Sequence, residues 1–127
     1  MMNSKQIISD VKNNFNELNY TITYQDNIPV NMVGSYNNSP VFVINFSDGT
    51  INFEYLYNNA NYKNYIKPSM NDAEKFLIES GGVSFYYHMN KGLLQQLIPK
   101  IILSFKNYYI TNRKENISYD FCCGRQC

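Results

Sequence analysis

The chain has 127 residues, 44% hydrophobic and 17% charged, with a formal net charge of +1. That is the length of one domain with enough apolar side chains to bury a core, which excludes general disorder. A charge so near zero gives no global field to draw nucleic acid or anionic lipid, and no stretch approaches a membrane span.

Met1 to Leu18 is polar and amphipathic, without the apolar centre of a secretory signal, so a cytoplasmic setting is expected. Twelve Tyr and 20 Asn stand against no Trp. Asn, Lys, Ile and Tyr have AT-rich codons, and the bias points to an AT-rich genome such as that of a phage, a virus or a low-GC bacterium. Charge is uneven. Residues 1–90 hold five Lys against eight acids, whereas Lys91, Lys100, Lys106, Arg113, Lys114 and Arg125 outnumber Glu115 and Asp120 in the rest. Because these cations are scattered rather than run together, they read as a solvated helix face, favourable near a helix C-terminus.

In chain order, Asn3 with Gln6 forms a capping-box pattern. Ile7, Ile8, Val11, Phe15 and Leu18 then recur at helical spacing, which predicts a helix over residues 4–18. Tyr20, Ile22 and Tyr24 alternate with Thr21 and Thr23, predicting a strand that ends at the turn residues 26–29. A weaker strand follows over 30–36, with Gly34 as a bulge candidate, and residues 37–40 (NNSP) make the next turn.

Val41 to Ser47 and Thr50 to Tyr57 flank Asp48-Gly49, a two-residue type I′ hairpin signal. That register pairs Phe46 with Ile51, Ile44 with Phe53 and Phe42 with Tyr55. All six side chains are expected on one buried face. Residues 58–68 are an Asn/Tyr-rich connection. A helix bearing Ala73, Phe76 and Leu77 is capped within residues 69–72 and stopped by Gly81-Gly82.

Val83, Phe85, Tyr87 and Met89 alternate with Ser84, Tyr86, His88 and Asn90 as a fifth strand. The clearest helix runs from Leu93 to Tyr109, with Pro99 set to kink or divide it. Ile117, Tyr119 and Phe121 suggest a last edge strand. The order α-ββββ-α-β-α predicts an α+β fold, a mostly antiparallel sheet of about five strands with helices packed on one face. Residues 1–116 form the single domain, and residues 117–127 a tail or edge strand carrying the cysteines.

No catalytic constellation is legible. His88 is the sole histidine and reads as a polar sheet-face residue, with no serine in a nucleophile elbow and no phosphate-cradling glycine motif. Glu54 and Asp48 are explained by a solvated sheet face and a turn. Cys122, Cys123 and Cys127 sit in the tail, lack metal-ligand spacing, and read as free thiols, so neither a metal nor a cofactor is expected.

What remains is tyrosine. Tyr57, Tyr62 and Tyr65 cluster around the connection with Lys63 and Lys67, and Tyr86 and Tyr87 flank His88. Tyrosine gives amphipathic contact area at small entropic cost and often anchors protein interfaces. The expected function is therefore non-enzymatic docking on a macromolecular target, of the phage or mobile-element inhibitor, immunity-protein or antitoxin type. Tyr57, Tyr62, Tyr65, Tyr86 and His88 are its candidate residues. A protein partner is expected ahead of nucleic acid, with no membrane, and self-association into a homo-oligomer stays open. The alternative is a small-ligand or nucleotide-binding domain whose pocket, between helix and sheet, is lined by Tyr86, His88 and Glu54. A deep polar pocket would favour the ligand, a flat tyrosine patch the docking partner.

Overall fold

The computed structural model describes the backbone of residues 3–80 and 82–125 and the side chains of 3–80 and 82–111. Asn3 opens helix α1 (Ser4–Asn14) with the expected capping box: its side chain accepts from the Gln6 N–H, and Gln6 accepts from the Asn3 N–H, each at 2.9 Å. The helix stops at Asn14, four residues short of expectation. Asn13, Asn14 and Asn16 are poor helix formers whose amides compete for nearby backbone. Tyr20 secures that end by donating to the Phe15 carbonyl at 2.6 Å, and Phe15 and Leu18 still reach the core.

Five antiparallel strands follow in meander order: β1 (Asn19–Gln25), β2 (Ile28–Tyr36), β3 (Ser39–Asn45), β4 (Thr50–Asn52) and β5 (Phe85–Tyr86). The first two turns are the two-residue kind that match strand twist. Asp26 and Asn27 have φ of 52° and 64°, Asn37 and Asn38 of 49° and 70°, between the pairs Gln25–Ile28 and Tyr36–Ser39. Asn and Asp tolerate this left-handed region better than other side-chain-bearing residues.

The third turn is different. Only Gly49 has positive φ, and β3 pairs with β4 through Asn45–Thr50, Ile44–Ile51 and Val43–Asn52. The expected register is thus corrected by two residues, and Phe46 joins a four-residue turn. The cause is local: the Asp48 side chain accepts from both the N–H and the hydroxyl of Thr50, at 3.1 and 2.7 Å, an Asx turn that replaces the type I′ geometry. A shift of two preserves which face each residue points to. Phe42, Ile44, Ile51 and Phe53 are therefore buried as expected, and Phe46 packs against the core. Tyr55 is the exception, exposed on the short helix α2 (Glu54–Tyr57) because the chain leaves the sheet after Asn52 to bury Leu56.

One sheet face carries Tyr20, Ile22, Met32, Phe42, Ile44, Ile51 and Phe85, all in or against the core. The opposite face carries Thr21, Thr23, Asn31, Val33, Val43, Asn45 and Asn52, none of them fully buried. Gly34 sits at the core face beside the bulge between Gly34 and Ser35, and a Cβ there would lie 2.7 Å from Phe42 Cζ. The ring of Phe42 needs that missing side chain.

Between β4 and β5 the chain makes α2, a π-helical turn (Tyr62–Ile66), a 3-10 turn (Lys67–Ser69) and α3 (Asp72–Glu79). Asn71, within the expected cap, is the N-cap, in a second capping box with Glu74. The buried face of α3 is Glu74, Leu77 and Ile78, whereas Phe76, expected inward, is exposed. Of the predicted glycine stop, Gly82 has φ +75° and Gly81 lies outside the described residues.

Helix α4 (Lys91–Arg125) buries Leu94, Leu97, Ile98, Ile101, Ile102 and Phe105. It continues through Pro99 and through 117–121, so the edge strand expected there is replaced by helix. The cysteine side chains lie outside the described set. Ion pairs hold α4 on two sides: Lys91 to Asp10 and Lys106 to Glu17 on the α1 side, Lys100 to Glu74 on the α3 side. Glu74 is fully buried, with Oε1 accepting from Asn71 N–H and Lys100.

Candidate functional site

The N-terminal end of α1, the Asp48-Gly49 turn and the end of β5 meet around a cleft of about 240 Å³. Its lining is Ile7, Asp48, Gly49, Tyr86, Tyr87, His88 and Met89. Strand β5 is only two residues long because the chain coils immediately after it. The Asn90 side chain donates to the Tyr86 carbonyl at 2.8 Å and the Asn90 N–H to the Tyr87 carbonyl at 3.2 Å. A 3-10 turn, His88–Asn90, then leads into α4.

That coil corrects the expected alternation. Tyr87 points into the core as predicted, but Val83 and Met89, assigned to the same face, stand 54% and 71% exposed. His88 lies on the 3-10 turn and not within a strand. The helix that begins at Lys91 was the signal that residues just upstream must leave the sheet.

Tyr87 forms a buried wall of the cleft and is held from both ends. Its N–H donates to the Gly49 carbonyl at 2.9 Å, and its hydroxyl donates to Asp10 Oδ2 at 2.5 Å. Lys91 donates to the other Asp10 oxygen at 2.7 Å. Burial raises the Asp10 pKa, but the hydrogen bonds from Lys91 and Tyr87 and the Lys91 charge outweigh it, leaving the carboxyl below its ordinary range. Burial first, and then the Asp10 carboxylate, push the Tyr87 phenol above its ordinary value. The phenol and carboxylate thus stay as a neutral donor and a charged acceptor, clamping the cleft wall.

The five sequence-predicted residues divide. Tyr86 and His88 come together at this cleft. Tyr57, Tyr62 and Tyr65 do not form one exposed patch: Tyr62 is buried, its hydroxyl donating to Glu79 at 3.1 Å. Tyr57 and Tyr65 are exposed, Tyr57 tilted against Tyr62 with ring centroids 5.7 Å apart and Tyr65 tilted against Tyr108 at 4.6 Å. The expected projecting connection is coiled onto the core through Tyr62 and Ile66. Glu54 does not line the cleft; its carboxylate lies near Gly82.

Sequence reasoning missed Met89, Phe76 and Val83. Phe76 on α3 lies against Phe85, with ring centroids 6.1 Å apart. With Tyr86 these residues place four exposed apolar side chains along β5 and its flanks, at the edge of the sheet. Isolated exposed hydrophobics are ordinary, whereas these four lie at one edge of the sheet. Among the described residues no group of three or more His, Cys, Asp or Glu could hold a metal ion, and no helix is long and apolar enough to cross a membrane. No family model, no curated protein and no solved structure matches the chain.

Proposed function

We propose that the chain is a non-enzymatic docking protein that binds another protein at the β5 edge, as inhibitors, immunity proteins and antitoxins do. The observation that carries this is a partly apolar cleft with a clamped wall, rimmed by exposed Tyr86, His88 and Met89 beside exposed Phe76 and Val83. A cleft of about 240 Å³ lies below the usual range for small-ligand pockets of roughly 300–1,000 Å³. It has the size to receive one apolar side chain of a partner, with Asp48 and His88 at the rim for polar contacts. Glu54, part of the small-ligand reading, does not line the cleft. The wall held by Asp10 and Gly49 spares the partner the cost of ordering it.

Tyr86 and Met89 act as anchors, since truncating a central interface side chain to Ala commonly costs about 2 kcal/mol or more. Affinity capture with the intact chain from cells carrying it identifies the partner, and the affinity is then measured with purified proteins. Met89→Ala and Tyr86→Ala should each weaken binding at least tenfold, whereas Tyr24→Ala, on the opposite edge strand, should not. Equal affinity of all three variants and wild type would sink the assignment of this edge.

A further inference from the structure

Strand β1 is the outer strand of the sheet and pairs with β2 on one side only. An antiparallel edge strand directs alternate N–H and C=O groups away from its neighbour. Among the described residues, no backbone group outside the β1–β2 ladder bonds to residues 19–25. Edges that stay single are commonly blunted by charge, by proline or by a bulge. β1 (NYTITYQ) carries neither charge nor proline. At the register shift between Thr23 and Tyr24 the extra residue, Val30, lies on β2, so β1 itself runs unbroken. The other edge, β5, is two residues long and offers almost no ladder. Within β1, Tyr20-Thr21-Ile22-Thr23-Tyr24 reads identically in both directions, flanked by the side-chain amides of Asn19 and Gln25.

We propose that β1 pairs with β1 of a second copy, antiparallel and centred on Ile22, joining the two five-stranded sheets edge to edge. The palindrome is the reason for a second copy. In most strands a two-fold antiparallel pair opposes unlike residues, whereas here every opposed pair is matched. Ile22 meets Ile22 of the partner subunit, Thr21 meets Thr23 of the partner subunit, and Tyr20 meets Tyr24 of the partner subunit. Residues directly opposed point to the same face, and Thr–Thr and aromatic pairs are among those that stabilise a sheet. Tyr24 changes most, because it is 58% exposed in the single chain. In the pair it lies beside Tyr20 of the partner subunit. The Tyr20 ring already sits 6.4 Å from that of Phe42 in its own chain, so Tyr24 extends an aromatic row. The contact is isologous: each copy uses its one long edge, and the assembly closes at two.

Sedimentation velocity of the full chain over a concentration series, in reducing buffer, tests this. Wild type should pass from monomer to dimer as concentration rises. Thr21→Lys combined with Thr23→Lys opposes like charges twice across the pair and should leave a monomer. Thr21→Lys combined with Thr23→Glu opposes unlike charges in the same register and should still dimerise. Both positions are exposed, so the changes spare the core, and far-ultraviolet dichroism checks that each variant folds. Tyr86→Ala, on β5, should leave the dimer intact, which separates this seam from the docking edge. A wild-type monomer at every concentration would overturn the proposal. So would a double-lysine variant that dimerises like wild type, or a lysine–glutamate variant as monomeric as the double-lysine one. Loss of the dimer on Tyr86→Ala would also overturn it, moving self-association to β5.

Discussion

Two tyrosine clusters, 25 residues apart in the sequence at Tyr62 and Tyr87, are built alike and do different work. In each, one tyrosine is buried and donates to a carboxylate that also takes a lysine: Tyr62 to Glu79 with Lys67, Tyr87 to Asp10 with Lys91. In each, neighbouring tyrosines stay exposed. The difference lies in reach and solvent. Tyr62 and Glu79 are 17 residues apart in one stretch of the chain, and the Glu79 and Lys67 side chains are well solvated. Tyr87 and Asp10 are 77 apart, and Asp10 is only 18% exposed. The first chain of bonds fastens a local coil, whereas the second ties the N-terminal helix to the start of α4 and holds a wall of the cleft. Tyrosine content is therefore no guide to function until burial is known.

The largest expected effect is on folding. Truncating Tyr87 to Ala removes a side chain that is 1% exposed and strips Asp10 of a donor. The loss should be about 3–5 kcal/mol, as for other large aromatic core residues. Tyr62→Ala should fall at or below the lower end of that range, since solvated Glu79 can replace its lost partner with water. Denaturant unfolding of the two variants checks the order. Equal losses would mean the long-range tie adds nothing to the local one.

Most of the fold, and less of the site, was legible in the sequence, and particular residues show why. Period-two alternation identified the strands, and the Asn3 capping box was explicit because both partners lie within four residues. The Asp48-Gly49 pair read as a two-residue turn, but a side-chain bond from Asp48 to Thr50 competes locally, and no alternation pattern registers that. Ile51, Phe53 and Tyr55 alternate, yet Phe53 and Leu56 also fit helical spacing. Short apolar runs satisfy both periods, and burial of Leu56 decided it. Ile117, Tyr119 and Phe121 posed the same ambiguity. There the helix already propagating from Lys91 prevailed, because extending a helix costs far less than starting a new element. At the site, Tyr86 and His88 were found as exposed polar-face residues. Met89 was missed, since the alternation from Val83 to Met89 reads as one strand and outweighed the signal of the helix that follows, so that the end of β5 after two residues went unseen.

The next effect is smaller and depends on pH. Tyr87→Phe keeps the packing and removes one hydrogen bond to a charged group, so it should cost about 1.5–3 kcal/mol near neutrality. Asp10 has a folded pKa below its ordinary value, so its contribution is present above the unfolded pKa near ~4 and is lost as pH falls through the folded pKa. Tyr87 has its folded pKa raised. Its contribution is whole below the unfolded value near ~10 and declines as pH rises above that. Stability measured by denaturant across pH should thus fall on both flanks, and Tyr87→Phe should flatten both: the alkaline limb because the phenol is gone, the acid limb because Asp10 loses one of the donors, beside Lys91 and Asn14, that lower its pKa. An unchanged acid limb would show that the Tyr87 hydroxyl has no part in setting the Asp10 titration.

The smallest effect on stability belongs to the exposed members, and it separates the two clusters most cleanly. Tyr57 and Tyr86 are 43% and 54% exposed, and neither hydroxyl holds a described side-chain partner. Replacing either by Ala should change the unfolding free energy by no more than about 0.5 kcal/mol, the usual range for surface changes away from caps and strained backbone. If both variants fold as wild type, any change in affinity for the partner reports contact and not damage. Tyr86 rims a cleft beside Met89 and His88, with Tyr87 fixed beneath it, so a partner side chain entering there would lose water from all of them at once. Tyr57 rests against the ring of Tyr62, with centroids 5.7 Å apart, and does not line the cleft at the end of β5. Tyr86→Ala should therefore weaken binding while Tyr57→Ala leaves it unchanged. The reverse pattern would move the docking surface to the connection between β4 and α3, and the clamp at Asp10 would then be structural only.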